Sequence, residues 1–226
     1  MATKDLVDAV IVAAGQSVRY GSNKLLEDLC GRPVIVRTID AIAKAPSVAQ
    51  IIIVVAPDQL EQMKTTCIDT ASTKKKLFVS GGERRQDSVQ AGLKATSTQY
   101  VVIHDGARPL VEVKMIEDCV EAAKGNTAAV LTNTLNDSIK RISGKDVIEN
   151  LNREDLRAAQ TPQVVRKTDW LRSAEATKID VSDDITMLEK SNGIIHIVEG
   201  SSENIKITQP MDLIIARTIW EQRAND

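Results

Sequence analysis

The sequence predicts an α/β fold in which helices cover both faces of a doubly wound, mostly parallel sheet. Three observations support this class. Runs of β-branched apolar residues recur along the chain, as expected of buried parallel strands. Small and polar residues end these runs, and segments with apolar residues three or four positions apart follow, as expected of amphipathic helices. This repeated order favours parallel strands joined by crossover helices.

The first predicted strand, residues 7–13, leads into a loop that carries the two cations Arg19 and Lys24. Small residues at 13–15 allow main-chain N–H groups to approach a ligand closely. A loop of this composition suits a triphosphate. It lacks the Gly-x-Gly-x-x-Gly dinucleotide pattern and the Gly-x4-Gly-Lys-Ser/Thr pattern of a Walker A loop. An NAD-dependent oxidoreductase is therefore disfavoured.

Further strand and helix units follow in order. Predicted strands occupy residues 50–56, 77–79, 100–105 and 128–131. The predicted helices carry apolar faces at Ile35, Ile39 and Ile42; at Leu60, Met63 and Cys67; at Val89 and Leu93; and at Val113, Ile116, Val120 and Ala123. Pro33 and Pro57 precede the first two helices, and Gly125 ends the last.

Residues 133–155 interrupt this rhythm. Residues 137–142 and 147–151 alternate polar and apolar side chains around a turn at 143–146, which predicts a β-hairpin arm. The arm has little core-forming content, and an isolated hairpin is marginal in water. We therefore expect it to pack on a second copy of the chain and to make a homodimer.

The last third of the chain returns to helices and strands. Helices are predicted around Trp170 and over Ile185–Leu188, with Ser182 as the N-cap of the second. Strands are predicted at 194–198 and 204–208, and a last helix begins at Pro210. Residues 1–226 are expected to form one domain, from which the arm is an excursion.

Composition excludes several classes of function. The formal net charge of −2 and the five scattered aromatic residues argue against nucleic acid as a partner. Cys30, Cys67 and Cys119 are odd in number and widely spaced, which favours reduced core thiols in a cytoplasmic protein. No apolar run is long enough to span a membrane.

Ligands of open α/β sheets bind outside the carboxyl ends of the strands, so the residues there are the candidate site. Five blocks of these residues resemble the 2-C-methyl-D-erythritol 4-phosphate cytidylyltransferase family, in order over residues 7–220. The blocks are Ala13-Ala14-Gly15 with Arg19 and Lys24; Gly81-Gly82 through Asp87-Ser88-Val89; residues 104–109; Thr161-Pro162-Gln163; and Glu199-Gly200 through Thr208. The resemblance implies a Rossmann-like nucleotidyltransferase fold and transfer of a cytidylyl group from CTP to 2-C-methyl-D-erythritol 4-phosphate.

The resemblance also implies roles for individual residues. The catalytic residues would be Arg19, Lys24, Arg153 and Lys206. CTP would bind at Ala13, Ala14, Gly15, Gly81, Gly82 and Ser88. The polyol phosphate would bind at Asp105, Arg108, Ser138, Arg153, Thr161, Ser182, Lys206 and Thr208. Ser138 and Arg153 would reach the site of the other subunit of the dimer. Mg²⁺ would be held mainly by the CTP phosphates, with Asp105 as the candidate protein carboxylate near it.

Several alternatives stay open at this stage. A ribitol 5-phosphate cytidylyltransferase shares the fold, the CTP loop and the arm, and Ser138 and Ser182 stand where threonine is common in the family. A nucleotide-binding regulator without catalysis is an alternative of another class. Arg84 and Arg85 are expected to be solvated at the pocket mouth, and His104 and His196 to be core histidines.

Overall fold

The structure is a computed structural model that describes residues 6–15, 20, 23–176, 181, 183–189 and 193–225. Its strands are β1 Val7–Ala13, β2 Asp28–Leu29, β3 Arg32–Pro33, β4 Val48–Val55, β5 Lys75–Ser80, β6 Tyr100–Asp105, β7 Ala128–Asn133, β8 Ile139–Ser143, β9 Asp146–Leu151, β10 Ala158–Arg166 and β11 Ile195–Glu199. Its helices are α1 Val34–Ala43, α2 Leu60–Thr66, α3 Arg85–Lys94, α4 Val113–Ala123, α5 Lys167–Ala176 and α6 Pro210–Asn225.

A seven-stranded sheet in the order β11-β7-β10-β6-β1-β4-β5 forms the centre of the molecule. From β1 the chain winds outward to β4 and β5 and then, in the other direction, to β6 and beyond, which confirms the doubly wound prediction. All neighbours pair in parallel except β10, which is antiparallel to both β6 and β7. The antiparallel direction of β10 places its first residues at the carboxyl end of β6.

Alternating side chains of the central strands enter two separate cores. Ile11 of β1 and Ile53 of β4 pack on the face covered by α1, α4 and α6. Val10 and Ile52, one position away, pack on the face covered by α3 and α5. Because both faces of these strands are covered, nearly every residue in them is apolar, which is the pattern that the sequence displays.

The predicted arm is a hairpin of β8 and β9, with Ile139 paired to Leu151 and Ser143 paired to Asp146. Its apolar residues Ile142, Val147 and Ile148 are 60–65% exposed within one chain. These side chains are not part of either core, so burying them requires something outside the single chain.

Several sequence predictions of secondary structure and of burial are wrong. Residues 204–208 form no strand, and residues 185–188 form a turn instead of the predicted helix. Strand β10 was not predicted at all, nor was the short β2–β3 hairpin. His196 lies exposed on the edge strand β11, so it is not a core histidine.

The other residues that were predicted to be buried agree only in part with the burial seen in the structure. His104, Cys67 and Cys119 are buried as predicted, and burial raises the pKa of the Cys67 thiol to about 11 and that of Cys119 to about 12. Cys30 is only half-buried and occupies the turn between β2 and β3 at a φ of +52°. In the part of the chain that the structure describes, no helix is long and apolar enough to cross a membrane.

Candidate active site

A cavity of about 840 Å³ opens at the carboxyl ends of β1, β4 and β6. These ends meet because Ala13 is in register with Val55, and Val12 with Asp105. Nine predicted site residues line the cavity: Ala13, Ala14, Gly15, Lys24, Gly81, Gly82, Ser88, Asp105 and Lys206. The chain thus brings residues from five distant segments to one place, as expected for this edge of an open α/β sheet.

One wall is the glycine loop, residues 80–84, between β5 and α3. The N–H of Gly81 donates to the Val55 carbonyl over 2.7 Å, and the N–H of Gly82 donates to Ser88 Oγ over 3.2 Å. A Cβ added to Gly81 would lie 2.6 Å from Ser88 Oγ and 2.7 Å from the Ala14 Cβ. The loop therefore packs against the end of β1 with no space for a side chain, which leaves backbone groups near the cavity.

Lys24 lies on the cavity wall, beyond the first loop. The preceding residue stabilises this stretch, because Asn23 Oδ1 accepts the N–H of Leu25 over 3.2 Å and its amide nitrogen donates to Gln59 Oε1 over 2.9 Å. Asn23 thus takes a structural part in the stretch that carries Lys24. Arg19, the other predicted cation of this loop, lies outside the described residues.

Asp105, at the end of β6, is the centre of a buried charge cluster. Its Oδ2 lies 2.8 Å from Lys206 Nζ and 3.6 Å from Arg108 Nε, and its Oδ1 lies 3.4 Å from a terminal nitrogen of Arg85. Burial alone would raise the pKa of Asp105, but Lys206, Arg85 and Arg108 outweigh this effect and hold the pKa well below its ordinary value. Asp105 is therefore an anion throughout the neutral range.

Lys206 and Arg108, the two cations that are predicted to bind the acceptor, differ in their exposure to solvent. Lys206 keeps 38% of its side chain exposed, whereas Arg108 keeps 12%. Burial lowers the pKa of Arg108, and Asp105 partly offsets this effect. Lys206 is thus the cation that can move toward an incoming phosphate with little rearrangement.

Residues 204–208 form the far wall, and they are held by side chains instead of a strand ladder. Asn204 Nδ2 donates to the carbonyl of Thr161 over 2.9 Å, and the guanidinium of Arg108 donates to the carbonyl of Asn204 over 2.6 Å. The N–H of Ile207 donates to the Ala107 carbonyl over 2.9 Å. Lys206 is carried into the cavity by this segment.

Two predicted hydroxyls are already engaged. Thr161 Oγ1 accepts the N–H of Asp105 over 3.1 Å and lies 3.1 Å from His104 Nδ1, deep beneath the cavity. Thr208 donates its hydroxyl to Asp212 Oδ2 over 2.7 Å, and its N–H donates to the same oxygen. Thr161 therefore supports Asp105, and Thr208 supports the start of α6.

The prediction that Arg84 and Arg85 are solvated is wrong for Arg85. Its side chain is 27% exposed and lies 2.8 Å from Asp184 Oδ2, in addition to its contact with Asp105. Burial opposes the charge of Arg85, but the two carboxylates outweigh that effect and raise its pKa. Arg84 is 44% exposed and pairs with Asp87 across 2.7 Å.

Sequence reasoning also missed Asp184, which is 1% exposed. In the sequence Asp184 stands between Ser182 and Ile185, where an aspartate would favour the dipole of the predicted helix. The adjacent Asp183 does take a local part, because its Oδ1 accepts the N–H of Thr186. Nothing in the pattern of one sequence separates a turn-capping aspartate from a buried partner of a distant arginine.

The two predicted residues of the arm are not brought to the cavity of the single chain. Ser138 and Arg153 are exposed at the base of the arm, where Arg153 donates to the Asn136 carbonyl over 2.6 Å. Ser182 lies outside the described residues. The arm residues can therefore complete a site only if the arm reaches another subunit.

The donor set does not favour a metal centre built by the protein. Within the described ranges, no three side chains of His, Cys, Asp or Glu lie together as metal ligands would. Both oxygens of Asp105 face cations at 2.8–3.6 Å. A divalent cation would have to displace them in order to bind this carboxylate directly.

Fold and site together define a Rossmann-like nucleotidyltransferase. The 2-C-methyl-D-erythritol 4-phosphate cytidylyltransferase family model matches residues 7–222. Enzymes of that name from Prochlorococcus marinus (strain MIT 9313) and Dehalococcoides mccartyi (strain CBDB1) are 38% and 39% identical, over 96% and 98% of this chain and 99% of each relative. The chain belongs to this family.

A solved structure gives the same result for the fold. The 4-diphosphocytidyl-2C-methyl-D-erythritol synthase of Anaerococcus prevotii DSM 20548 superposes with a TM-score of 0.86 at 26% identity, covering 96% of this chain and 97% of that one. The predicted fold class is confirmed.

Proposed function

We propose that this protein transfers the cytidylyl group of CTP to 2-C-methyl-D-erythritol 4-phosphate, giving 4-diphosphocytidyl-2-C-methyl-D-erythritol and pyrophosphate in the non-mevalonate isoprenoid pathway. One observation carries the proposal. A single cavity holds both the glycine loop, which suits a small base, and the Asp105 cluster, which suits a hydroxylated phosphate.

The reaction joins two polyanions. A phosphate oxygen of the acceptor attacks the α-phosphorus of CTP, a new P–O bond forms, and the bond to the β-phosphate oxygen breaks as pyrophosphate leaves. The nucleophile is already an anion, so the site needs no general base. Catalysis then consists of positioning and charge stabilisation. A cavity lined by Lys24 and Lys206, with Arg108 behind Asp105, fits that requirement.

On the nucleotide side, we assign the triphosphate to Lys24 and Arg19 and to the backbone of residues 13–15. The cytosine would lie against Gly81, Gly82 and Ser88, where backbone groups are reachable at short range because no side chain intervenes. Lys24 would stabilise the charge that develops on the α-phosphate in the transition state.

On the acceptor side, we assign the phosphate to Lys206 and Arg108. Asp105 would accept hydrogen bonds from sugar hydroxyls, since its fixed negative charge makes it a strong acceptor. Thr161 would hold the backbone of Asp105 in place. Thr208 and Ser182 stay as predicted acceptor contacts.

We further propose that two subunits pair through the arm, residues 133–155, and that Ser138 and Arg153 complete the acceptor site of the partner. The support is the exposure of Ile142, Val147 and Ile148 on a hairpin that has no core of its own. Arg153 is charged, exposed and outside its own cavity, as a residue that acts in another subunit would be.

Mg²⁺ would accompany the reaction on the phosphates of CTP, where it would neutralise charge on the leaving pyrophosphate. With three free cysteines, the protein suits the reducing cytoplasm.

Pyrophosphate release tests the proposal. The enzyme is incubated with CTP and Mg²⁺, and 2-C-methyl-D-erythritol 4-phosphate and ribitol 5-phosphate are offered in parallel. We expect a kcat/KM at least tenfold higher with the first acceptor. A preference for ribitol 5-phosphate would keep the chemistry and contradict the proposed substrate, and no release with either acceptor would contradict the activity.

A further inference from the structure

Arg85 joins the two halves of the cavity. It is the first residue of α3, directly after the glycine loop on the nucleotide side. One terminal nitrogen of its guanidinium lies 2.8 Å from Asp184 Oδ2 and 3.4 Å from Asp105 Oδ1. A residue that starts on the nucleotide wall therefore ends between two carboxylates of the acceptor wall.

Asp184 fixes the far end of this bridge. Its N–H donates to Gln163 Oε1 over 3.1 Å, and its side chain is 1% exposed. A buried carboxylate without a partner is strongly destabilising. The ion pair with Arg85 therefore stabilises Asp184, and the same contact holds the guanidinium of Arg85 in place.

The neighbour of Arg85 makes a second tie to the same segment. Gln86 Oε1 accepts the N–H of Val181 over 3.1 Å. Two successive residues at the start of α3 thus contact residues 181 and 184, Gln86 through a hydrogen bond and Arg85 through an ion pair. The glycine loop is tied to the same helix, because Ser88 Oγ accepts the N–H of Gly82. These contacts form one continuous connection from the glycine loop to Asp105.

The two oxygens of Asp105 are divided between different cations. Oδ2 faces Lys206 and Arg108, whereas Oδ1 faces Arg85. Without Arg85, Oδ1 loses this contact, and only the contacts of Oδ2 with Lys206 and Arg108 restrain rotation about the Cβ–Cγ bond. Arg85 therefore sets the plane of the group that we assign to the acceptor hydroxyls.

We propose that Arg85, anchored by Asp184, is a positioning residue that orients Asp105 for the acceptor and links the acceptor wall to the glycine loop. The inference rests on the proposed function, because it assigns Asp105 to the polyol. Arg85 acts through Asp105 and forms no bond in the reaction. Its effect should appear in acceptor binding and leave CTP binding largely intact.

Two single variants test the inference. Arg85→Lys keeps the charge, but its ammonium ends one bond short of the terminal nitrogen that contacts both carboxylates in Arg85. Asp184→Asn keeps the shape of the anchor and removes its charge. Asp183→Asn is the matched control, because Asp183 is adjacent in sequence and its Oδ1 accepts the N–H of Thr186 in the local turn.

The measurements are the KM for the acceptor and kcat at saturating CTP, and the Kd for CTP by calorimetry. Arg85→Lys and Asp184→Asn should raise the acceptor KM about tenfold or more and change the CTP Kd less than about twofold. The control should match the wild type in both. A merely structural role would lower the unfolding temperature without separating the two substrates in this way.

If either single variant fails to fold, Arg85→Gln combined with Asp184→Asn leaves no unpaired charge between the two positions and should show the same increase in acceptor KM. An unchanged acceptor KM in folded variants, or an equal loss of CTP affinity, would overturn the inference while wild-type turnover upholds the proposed function. A wild type that is silent with both acceptors would overturn the two together.

Discussion

Nδ1 of His104 lies 3.1 Å from Oγ1 of Thr161, and Nε2 of the same ring lies 3.0 Å from the carbonyl oxygen of Arg108. A carbonyl can only accept, so Nε2 carries the proton and Nδ1 keeps its lone pair. The Thr161 hydroxyl must then donate to Nδ1 while its oxygen accepts the N–H of Asp105. A neutral imidazole with one tautomer is therefore built into the support of Asp105.

The first prediction concerns stability and pH. Burial lowers the pKa of His104 to about 4 from an ordinary value near 6.5. Between these values the unfolded chain binds a proton that the folded chain does not, so stability falls as the pH falls through this window. Each pH unit within it corresponds to about 1.4 kcal/mol, so this group should remove about 2 to 3 kcal/mol between pH 6.5 and 4.5.

Urea unfolding at pH 7, 5.5 and 4.5 measures this effect. His104→Gln should start less stable than the wild type at pH 7 but lose less stability on acidification. His196→Gln is the control, since His196 is exposed on β11, and it should follow the wild-type slope. A wild-type slope in His104→Gln would show that this ring does not cause the acid sensitivity.

The second prediction concerns Lys24. Lys24→Ala should lower kcat by about 10²- to 10³-fold, because the transition state loses one preorganised charge contact in a cavity with restricted water. The measurement is steady-state pyrophosphate release with both substrates saturating. Lys94→Ala, which removes an exposed lysine from the end of α3, should leave kcat unchanged. Near-normal turnover in Lys24→Ala would remove Lys24 from the catalytic role.

The third prediction concerns the arm. Arg153→Ala and Lys24→Ala homodimers should each be nearly inactive, whereas their mixture should regain activity, because one site of each heterodimer receives both an intact Lys24 and an intact Arg153. Tagged subunits allow heterodimers to be purified before the assay. Confirmed heterodimers without recovered activity would place Arg153 in its own subunit or outside the reaction.

The fourth prediction concerns the glycine loop. Gly81→Ala should destabilise the protein by about 1 to 3 kcal/mol, because its new methyl group would overlap Ser88 Oγ and the Ala14 side chain. Gly15→Ala offers a matched comparison, since no atom of the described residues lies within 4 Å of its added Cβ, and its stability should stay within about 0.5 kcal/mol of wild type. Equal unfolding midpoints in urea for the two variants would contradict the close packing described here.

The sequence predicted the buried parallel strands well because burial on both faces leaves a direct trace in residue type. It failed for β10, which contains two glutamines and a proline within its buried stretch. Those polar groups are satisfied by distant partners, such as the carbonyl of Ser201 for Gln160. Since no local pattern reveals a tertiary hydrogen bond, such a strand resembles a loop in sequence.

The candidate site, too, contains some residues that the sequence pattern indicates and others that it does not. Lys24, Asp105 and Lys206 are predicted together because they follow predicted strands or match a family pattern, and the structure brings all three to one cavity. Arg85 was misread as solvated because its carboxylate partners lie 20 and 99 positions away in the chain. Charge pairing across such separations is decided by topology, and the antiparallel β10 was the missing part of that topology.

The arm leaves the sheet after β7 and returns in β10, and these two strands are hydrogen-bonded neighbours, with Asn133 opposite Ala158. The ladder of the sheet is thus complete without the intervening residues. The arm can lengthen, shorten or change its sequence in evolution without shifting the register that holds Asp105 beside Thr161. Changes confined to the tip of the hairpin can therefore alter what the arm contacts while the sheet that positions Asp105 keeps its register.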